Sequence, residues 1–130
     1  MIGRAPETEM TKILIVEDNE MNRDMLQRRL ERKGYEIVCA TSGPEGISMA
    51  EQAQPDIILM DVALGEMDGW EATSQIRSNP HTKHIPVIAL TAHALESDRR
   101  KSVDVGCADF ETKPVSLPDL IDKIEKHSVK

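Results

Sequence analysis

The stretch PDIILMDV, residues 55–62, predicts a buried β-strand that ends at a carboxylate. Its four consecutive large apolar residues are too short a run for a buried helix. They suit a strand that is covered on both faces, as in a parallel sheet. Asp61 follows the run directly and is therefore expected at the carboxyl end of the strand, the edge of an open α/β sheet where ligands bind. Two interpretations of Asp61 follow, a loop cap or a group that takes part in chemistry.

Short apolar runs alternate with stretches of helical spacing through the rest of the chain. The apolar runs predict five strands, at residues 12–16, 35–39, 57–60, 85–90 and 107–112. The helical spacing predicts five helices, near residues 21–33, 42–53, 70–79, 92–105 and 117–124. This order implies right-handed βαβ units. The predicted fold is therefore α/β, a doubly wound five-stranded parallel sheet with helices on both faces.

Side-chain spacing within these elements gives more specific expectations. The apolar face of the first helix is predicted to consist of Met21, Met25, Leu26 and Leu30. The last strand alternates small or apolar residues with Asp109 and Glu111, which is typical of a charged edge strand. Cys39 and Cys107 fit no CxxC or zinc-binding spacing, so we predict that both are buried, reduced thiols.

Length and charge limit the class of protein. The 130 residues suit one domain, with residues 1–11 as a flexible N-terminal tail and residues 12–130 as the folded domain. A net charge of −7, with one Trp, one Tyr and one Phe, argues against nucleic acid or anionic membrane as a partner. No apolar run approaches the roughly 20 residues of a spanning helix. The N-terminus lacks the apolar segment of a signal peptide, so we expect a cytoplasmic protein.

Polar side chains follow four of the predicted strands. Glu17 and Asp18 come after the first strand, Asp61 after the third, Thr91 after the fourth and Lys113 after the fifth. Because parallel strands place their carboxyl ends at one edge, we expect these side chains to converge. Three carboxylates held together repel one another unless a cation neutralises them. Their hard oxygen ligands favour Mg²⁺ or Mn²⁺.

The combination of carboxylates, a divalent ion, a hydroxyl and a lysine suits phosphoryl transfer. The cation and the lysine offset charge on the phosphoryl oxygens while a carboxylate serves as the nucleophile. Taken singly, each signal has an ordinary interpretation, which is helix or loop capping for the acidic residues and Thr91, and a solvated surface lysine for Lys113. Their occurrence in order, each at the end of its own strand, favours a site.

With these residues the chain resembles the CheY-like receiver domains of two-component response regulators. The resemblance covers about residues 12–126. It is carried by ILIVEDN (13–19), ILMDVALGEMDG (58–69), IPVIALTAHA (85–94) and the pair Lys113-Pro114. It implies the flavodoxin-like strand order 2-1-3-4-5 and a receiver domain at residues 12–130. The Lys113-Pro114 peptide bond is usually cis in this family.

The resemblance implies that Asp61 is a phosphoacceptor in phosphorelay signal transduction. It would take a phosphoryl group from a histidine kinase or a histidine phosphotransfer protein. Glu17, Asp18, Asp61 and the backbone carbonyl of Ala63 would form the magnesium site. The protein would then be a signalling phosphoprotein and not an enzyme, with only self-catalysed phosphotransfer and autodephosphorylation as its chemistry.

The resemblance also implies roles for residues around the acceptor. Thr91 and Lys113 would contact the phosphoryl oxygens, and Thr91 would move together with Phe110, the residue at the switch-aromatic position. Phe110 has a second interpretation as a core aromatic. Ala63 and His93 occupy positions that modulate the lifetime of the phosphoryl group, although His93 is also consistent with a plain exposed residue.

Signalling would follow from a change in the surface of the fourth helix, fifth strand and fifth helix, which a downstream protein would recognise. Three consecutive basic residues at 99–101 on the fourth helix are either part of that surface or simply solvated charge. The sequence departs from the family at Leu64-Gly65, where Met-Pro is common. The freer glycine puts the rigidity of that loop in question.

Several alternatives compete with this interpretation. A phospho-aspartate enzyme of the haloacid-dehalogenase type would want a second Asp where Ala63 stands, and a nucleotide-binding domain would want glycines in the turn EDNE, residues 17–20. A pseudo-receiver that binds proteins without phosphorylation remains an alternative. So does a receiver segment of a hybrid kinase, although we expect a stand-alone regulator. It would be a monomer or a weak homodimer.

Overall fold

The structure, a computed structural model, describes residues 10–93 and 95–128. Within them five strands alternate with five helices: β1 (Lys12–Val16), α1 (Glu20–Arg32), β2 (Glu36–Ala40), α2 (Gly43–Ala53), β3 (Ile57–Asp61), α3 (Gly69–Ser78), β4 (Val87–Thr91), α4 (Glu96–Val105), β5 (Asp109–Thr112) and α5 (Leu117–His127). The strands pair in parallel in the order β2-β1-β3-β4-β5. The predicted doubly wound α/β fold is confirmed. Of the predicted flexible tail, residues 1–9 lie outside the described residues.

Each face of the sheet is covered by its own helices. One face packs against α2 and α3 in a cluster that includes Leu14, Val16, Ala50, Ile58, Met60, Ala72, Ile76 and Val87. The other packs against α1 and α5 in a cluster of Ile13, Ile15, Leu26, Leu30, Ile57, Leu59, Ile88, Leu90, Leu120 and Ile124. The central strands are buried on both faces, which explains their uninterrupted apolar runs. Over residues 10–93 and 95–128, no helix has the length and apolar character needed to cross a bilayer.

The structure corrects the predicted starts of two strands. β4 begins at Val87 and not at residue 85, because the Ile85 N–H bonds to the Thr82 carbonyl (2.9 Å) in the preceding turn. β5 begins at Asp109 and not at residue 107, because the Cys107 N–H bonds back to the last turn of α4. Ile85 and Cys107 continue the apolar pattern of the strands in the sequence, but their backbone N–H groups are hydrogen-bonded within the preceding turns.

The fourth helix also starts later than its sequence pattern predicts. α4 begins at Glu96 and not at residue 92. The Thr91 hydroxyl oxygen accepts a hydrogen bond from the His93 N–H at 3.1 Å, which holds the chain in a turn directly after β4. β2 likewise begins one residue late, at Glu36.

The predicted apolar face of α1 is half wrong. Leu26 and Leu30 are buried, but Met21 is 80% exposed and Met25 is 41% exposed. Since α1 starts beyond the carboxyl end of β1, its first turns extend past the edge of the sheet and only its later turns pack on the strands. Helical spacing predicts an apolar stripe but not the length of helix that the sheet covers.

Single residues at the two edges of the sheet differ from their predicted burial. β5 lies at an edge as predicted, but its Glu111 is only 6% exposed and forms an ion pair with Lys123 at 2.7 Å. Cys39 and Cys107 are free, as predicted, but both are only half-buried because they lie on or beside edge strands. Burial raises the pKa of the Cys107 thiol to about 12, which keeps it protonated and unreactive.

Gly69 allows the first turn of α3 to pass directly under the end of β3. A Cβ atom at this position would collide with the Asp61 carbonyl oxygen and would lie 2.7 Å from the Val62 Cα. The Gly69 N–H donates to the Val62 carbonyl at 3.1 Å, and the Asp68 side chain caps α3 through the Glu71 N–H at 2.9 Å. The first turn of α3 therefore packs directly against the backbone that carries Asp61.

We predict that Gly69→Ala lowers the free energy of unfolding by about 2–3 kcal/mol, because backbone atoms cannot move aside as a flexible side chain would. Gly65→Ala is the matched control, since a Cβ there meets no atom within 4 Å. It should change the free energy by less than about 0.5 kcal/mol. Urea unfolding measures both, and equal stability of the two variants would contradict the close approach.

Candidate functional site

Glu17, Asp18, Asp61 and Lys113 meet at the carboxyl edge of the sheet. Asp61 is the last residue of β3, whereas Glu17 and Lys113 directly follow β1 and β5. One carboxylate oxygen from each of the three acidic residues lies within 4.8 Å of the others. Lys113 Nζ lies 3.2 Å from Glu17 Oε1 and 3.2 Å from Asp61 Oδ1. The structure thus brings together the acidic and lysine residues that the sequence predicted.

Burial differs sharply among the three carboxylates. Glu17 is 1% exposed and Asp61 is 2% exposed, whereas Asp18 lies at the exposed mouth of the site. Burial raises the pKa of Glu17 to about 7, and a hydrogen bond and the charge of Asp61 act in the same direction. The charge of Lys113 and the Asn19 N–H oppose this rise only in part. Near neutral pH the Glu17 carboxyl is therefore protonated for part of the time.

Lys113 responds to the same pair of carboxylates. Burial alone lowers the pKa of its ammonium group, but the charges of Asp61 and Glu17 and their hydrogen bonds outweigh burial and raise the pKa. Lys113 is therefore charged throughout the physiological range. One ammonium group does not neutralise three carboxylates, so the site has room for a further positive charge.

The donor set suits a hard divalent cation. The donors that lie together are all carboxylate oxygens, which Mg²⁺ and Mn²⁺ prefer, and Asp18 is exposed to solvent. The Ala63 N–H donates to Asp61 Oδ1 at 3.0 Å, so the chain turns back toward the carboxylate there. The role of the Ala63 carbonyl as a ligand stays a prediction.

Two residues that the sequence did not single out hold the β1–α1 loop. Asn19 caps α1 through the Asn22 N–H at 2.9 Å, and its own N–H donates to Glu17 Oε2 at 3.2 Å. Arg23 Nη1 donates to the Glu17 carbonyl at 2.9 Å. An Asn directly before a helical run is a recognised N-cap signal and could have been found. The Arg23 contact depends on the path of the loop, which no local pattern indicates.

Thr91 is the last residue of β4, the strand next to β3. Its hydroxyl is hydrogen-bonded to the backbone of His93, as acceptor from the N–H at 3.1 Å and as donor to the carbonyl at 3.2 Å. His93 itself is exposed, as is Ala63. The Thr91 hydroxyl thus holds the start of the β4–α4 loop.

Phe110 lies between α4 and α5 and belongs to neither hydrophobic cluster of the described residues. Its half-buried ring has the Arg99 guanidinium carbon 4.7 Å from its centroid and Lys123 Nζ at 5.9 Å. The interpretation as a plain core aromatic is therefore not supported, while the switch role stays a prediction. The expected cis peptide bond between Lys113 and Pro114 is present.

Comparison with known proteins identifies the family. The family model described as "Response regulator receiver domain" matches residues 13–125. The polar-differentiation response regulator DivK of Brucella ovis is 40% identical over 119 residues, an alignment that covers 91% of this chain and 97% of that protein. The chain therefore belongs to the response regulator receiver family, as the sequence motifs indicated.

Two solved structures show the same fold. The receiver domain of the sensor histidine kinase PA1611 from Pseudomonas aeruginosa has a TM-score of 0.84 at 34% identity, covering 91% of this chain and 97% of that one, and holds a magnesium ion in its active site cleft. The Saccharomyces cerevisiae Ssk1 receiver domain, in complex with the histidine phosphotransfer protein Ypd1, has a TM-score of 0.85 at 31% identity, covering 92% of this chain and 89% of that one.

Proposed function

We propose that Asp61 accepts a phosphoryl group from the phosphohistidine of a histidine kinase or a histidine phosphotransfer protein. The observation that carries this proposal is the position of Lys113 Nζ, 3.2 Å from both Asp61 Oδ1 and Glu17 Oε1 in a buried setting. In the reaction an Asp61 oxygen forms a bond to phosphorus, the P–N bond of the donor breaks, and the released imidazole takes up a proton. The complex of the Ssk1 receiver with Ypd1 supports a phosphotransfer protein as the donor class.

The residues of the cluster have two roles in this proposal, binding of the cation and stabilisation of the phosphoryl group. Glu17, Asp18, Asp61 and the Ala63 carbonyl would hold Mg²⁺, which supplies positive charge against the phosphoryl oxygens when bound. Magnesium in the active site cleft of the PA1611 receiver supports this assignment. Lys113 offsets the charge of the phosphoryl group from the side of β5. Replacement of Lys113 by Ala is expected to slow phosphoryl transfer to Asp61 by about 100-fold, the usual effect of removing one charge-stabilising donor.

Two rival functions are less well supported. A pseudo-receiver would have lost an acidic residue or the lysine, whereas here all of them are present and in contact range. An enzyme that hydrolyses a separate substrate through a phospho-aspartate would place a general acid where the exposed Ala63 stands. We therefore propose a signalling domain at residues 12–130 with residues 1–11 as its tail. We place it in the cytoplasm, a reducing location that the free thiols of Cys39 and Cys107 support.

The switch in this proposal starts at the Thr91 hydroxyl. Phosphorylation adds about 1.5–2 negative charges near neutral pH, a range typical of phospho-residues. The new oxygens attract the Thr91 hydroxyl away from the His93 backbone, and this releases the β4–α4 loop. α4 is easily moved, because Ser102 is its one buried residue. The population of a preformed active state rises, and the face made by α4, β5 and α5 changes for a downstream protein partner.

Phosphorylation is tested with Mg²⁺ and phosphoramidate, a small donor whose P–N bond matches that of phosphohistidine. Intact-mass measurement should show one added phosphoryl group on the wild-type protein and none on Asp61→Asn or in EDTA. Asp24→Asn is the matched control, because it makes the same carboxylate-to-amide change on the exposed surface of α1. Labelling of Asp61→Asn, or none on a wild-type protein that binds Mg²⁺, would contradict the proposal.

The switch is tested by amide hydrogen exchange with and without beryllofluoride, a phosphoryl mimic. Exchange should change in α4 and β5 and stay constant in β1 and β3. Arg99→Ala should strengthen binding of the mimic by about 2–5-fold, because a cation–π contact of ordinary strength no longer holds the Phe110 ring between α4 and α5. Arg100→Ala removes an equal charge from the same helix and serves as the control. Unchanged exchange in α4 and β5 would rule out this route of signalling.

A further inference from the structure

Arg23 connects α1 to the residue at which β1 ends. It lies one turn into the helix, is half-buried, and donates from Nη1 to the Glu17 carbonyl at 2.9 Å. The N–H of Glu17 donates to the Ala40 carbonyl of β2 at 3.0 Å. The backbone of Glu17 is thus held by the sheet on one side and by the Arg23 guanidinium on the other.

The Glu17 carbonyl is part of the peptide unit that joins Glu17 to Asp18. Because that unit is planar, a hydrogen bond to its carbonyl restrains the plane in which the N and Cα atoms of Asp18 lie. Asp18 is exposed, so its position depends on the loop backbone more than on packing. Arg23 thus contacts, from outside the cluster, the peptide unit that joins the two acidic residues.

Repulsion among the three carboxylates makes the hydrogen bond from Arg23 to the Glu17 carbonyl useful. Oxygens of Glu17, Asp18 and Asp61 lie within 4.8 Å of one another, and a free loop would separate them. A charge-assisted hydrogen bond is about twice as strong as a neutral one and can resist that movement. Moreover, a cation near the N-terminus of a helix opposes the helix dipole, so simple helix stability does not account for an arginine here.

We propose that Arg23 is a positioning residue that holds Glu17 and Asp18 within reach of a shared divalent cation and so sets the affinity for Mg²⁺. The inference rests on the proposed function, since it takes Mg²⁺ as the ion. A positioning role and a purely electrostatic role predict opposite changes in Mg²⁺ affinity when Arg23 is removed. Removing a nearby positive charge alone would tighten Mg²⁺ binding, whereas loss of loop geometry weakens it.

The test is calorimetric titration of Mg²⁺ into wild-type protein and four variants. Arg23→Ala and Arg23→Gln should weaken binding by about 10-fold, at the lower end of the effect of residues that orient metal ligands. Arg23→Lys keeps a charged donor and should recover part of the loss. Arg28→Ala is the matched control on the same helix, because Arg28 pairs with Asp24 at an exposed position. It should stay within about twofold of wild type, since exposed ion pairs contribute little.

The outcomes separate a positioning role for Arg23 from a purely electrostatic one and from loss of folding. Melting in EDTA shows which variants are folded, and if Arg23→Ala is not, Arg23→Gln decides, because Gln keeps part of the aliphatic stem of the half-buried Arg23. Wild-type affinity in a folded Arg23 variant, or equal losses in the Arg23 and Arg28 variants, would overturn the positioning role alone. A wild-type protein that binds no Mg²⁺ would overturn the magnesium-dependent function as well.

Discussion

The bridge from Lys113 Nζ to Glu17 Oε1 and Asp61 Oδ1, 3.2 Å in each case, is the interaction on which the site depends. Two carboxylates with 1% and 2% exposure cannot both be ionised side by side without a compensating charge. The compensating ammonium comes from the loop after β5, nearly a hundred residues from Glu17. The parallel strand order, which collects these three strand ends at one edge, therefore brings Lys113 to the two carboxylates.

The elements that hold the site are deeply buried, whereas α4, the helix that would respond, is not. β3 is buried along its whole length, and Gly69 fixes the backbone of Asp61 against α3. By contrast, only Ser102 is buried in α4. Arg99 of the same helix contacts the half-buried Phe110. Elements with few buried contacts open at low free energy, so α4 is the helix that we propose shifts when the end of β4 changes.

The fold and the acidic cluster could be predicted because both depend on local patterns. Buried parallel strands are short continuous apolar runs, and a polar residue after each run marks the functional edge. The exposure of Met21 could not be predicted, because helical spacing does not show where the sheet under α1 ends. The contact of Arg23 with the Glu17 carbonyl and the late start of α4 depend on loop paths, which sequence periodicity does not encode.

We expect a divalent cation that binds beside Glu17 and Asp61 to displace the proton that the buried Glu17 carboxyl holds for part of the time near neutral pH. Calorimetry of Mg²⁺ binding in buffers of different ionisation enthalpy measures this proton directly, because ligand groups must ionise to bind metal. With the pKa of Glu17 raised to about 7, a large fraction of one proton should be released at about pH 6.5 and almost none at about pH 9. Magnesium binding at about pH 6.5 without proton release, or no binding at either pH, would contradict the account.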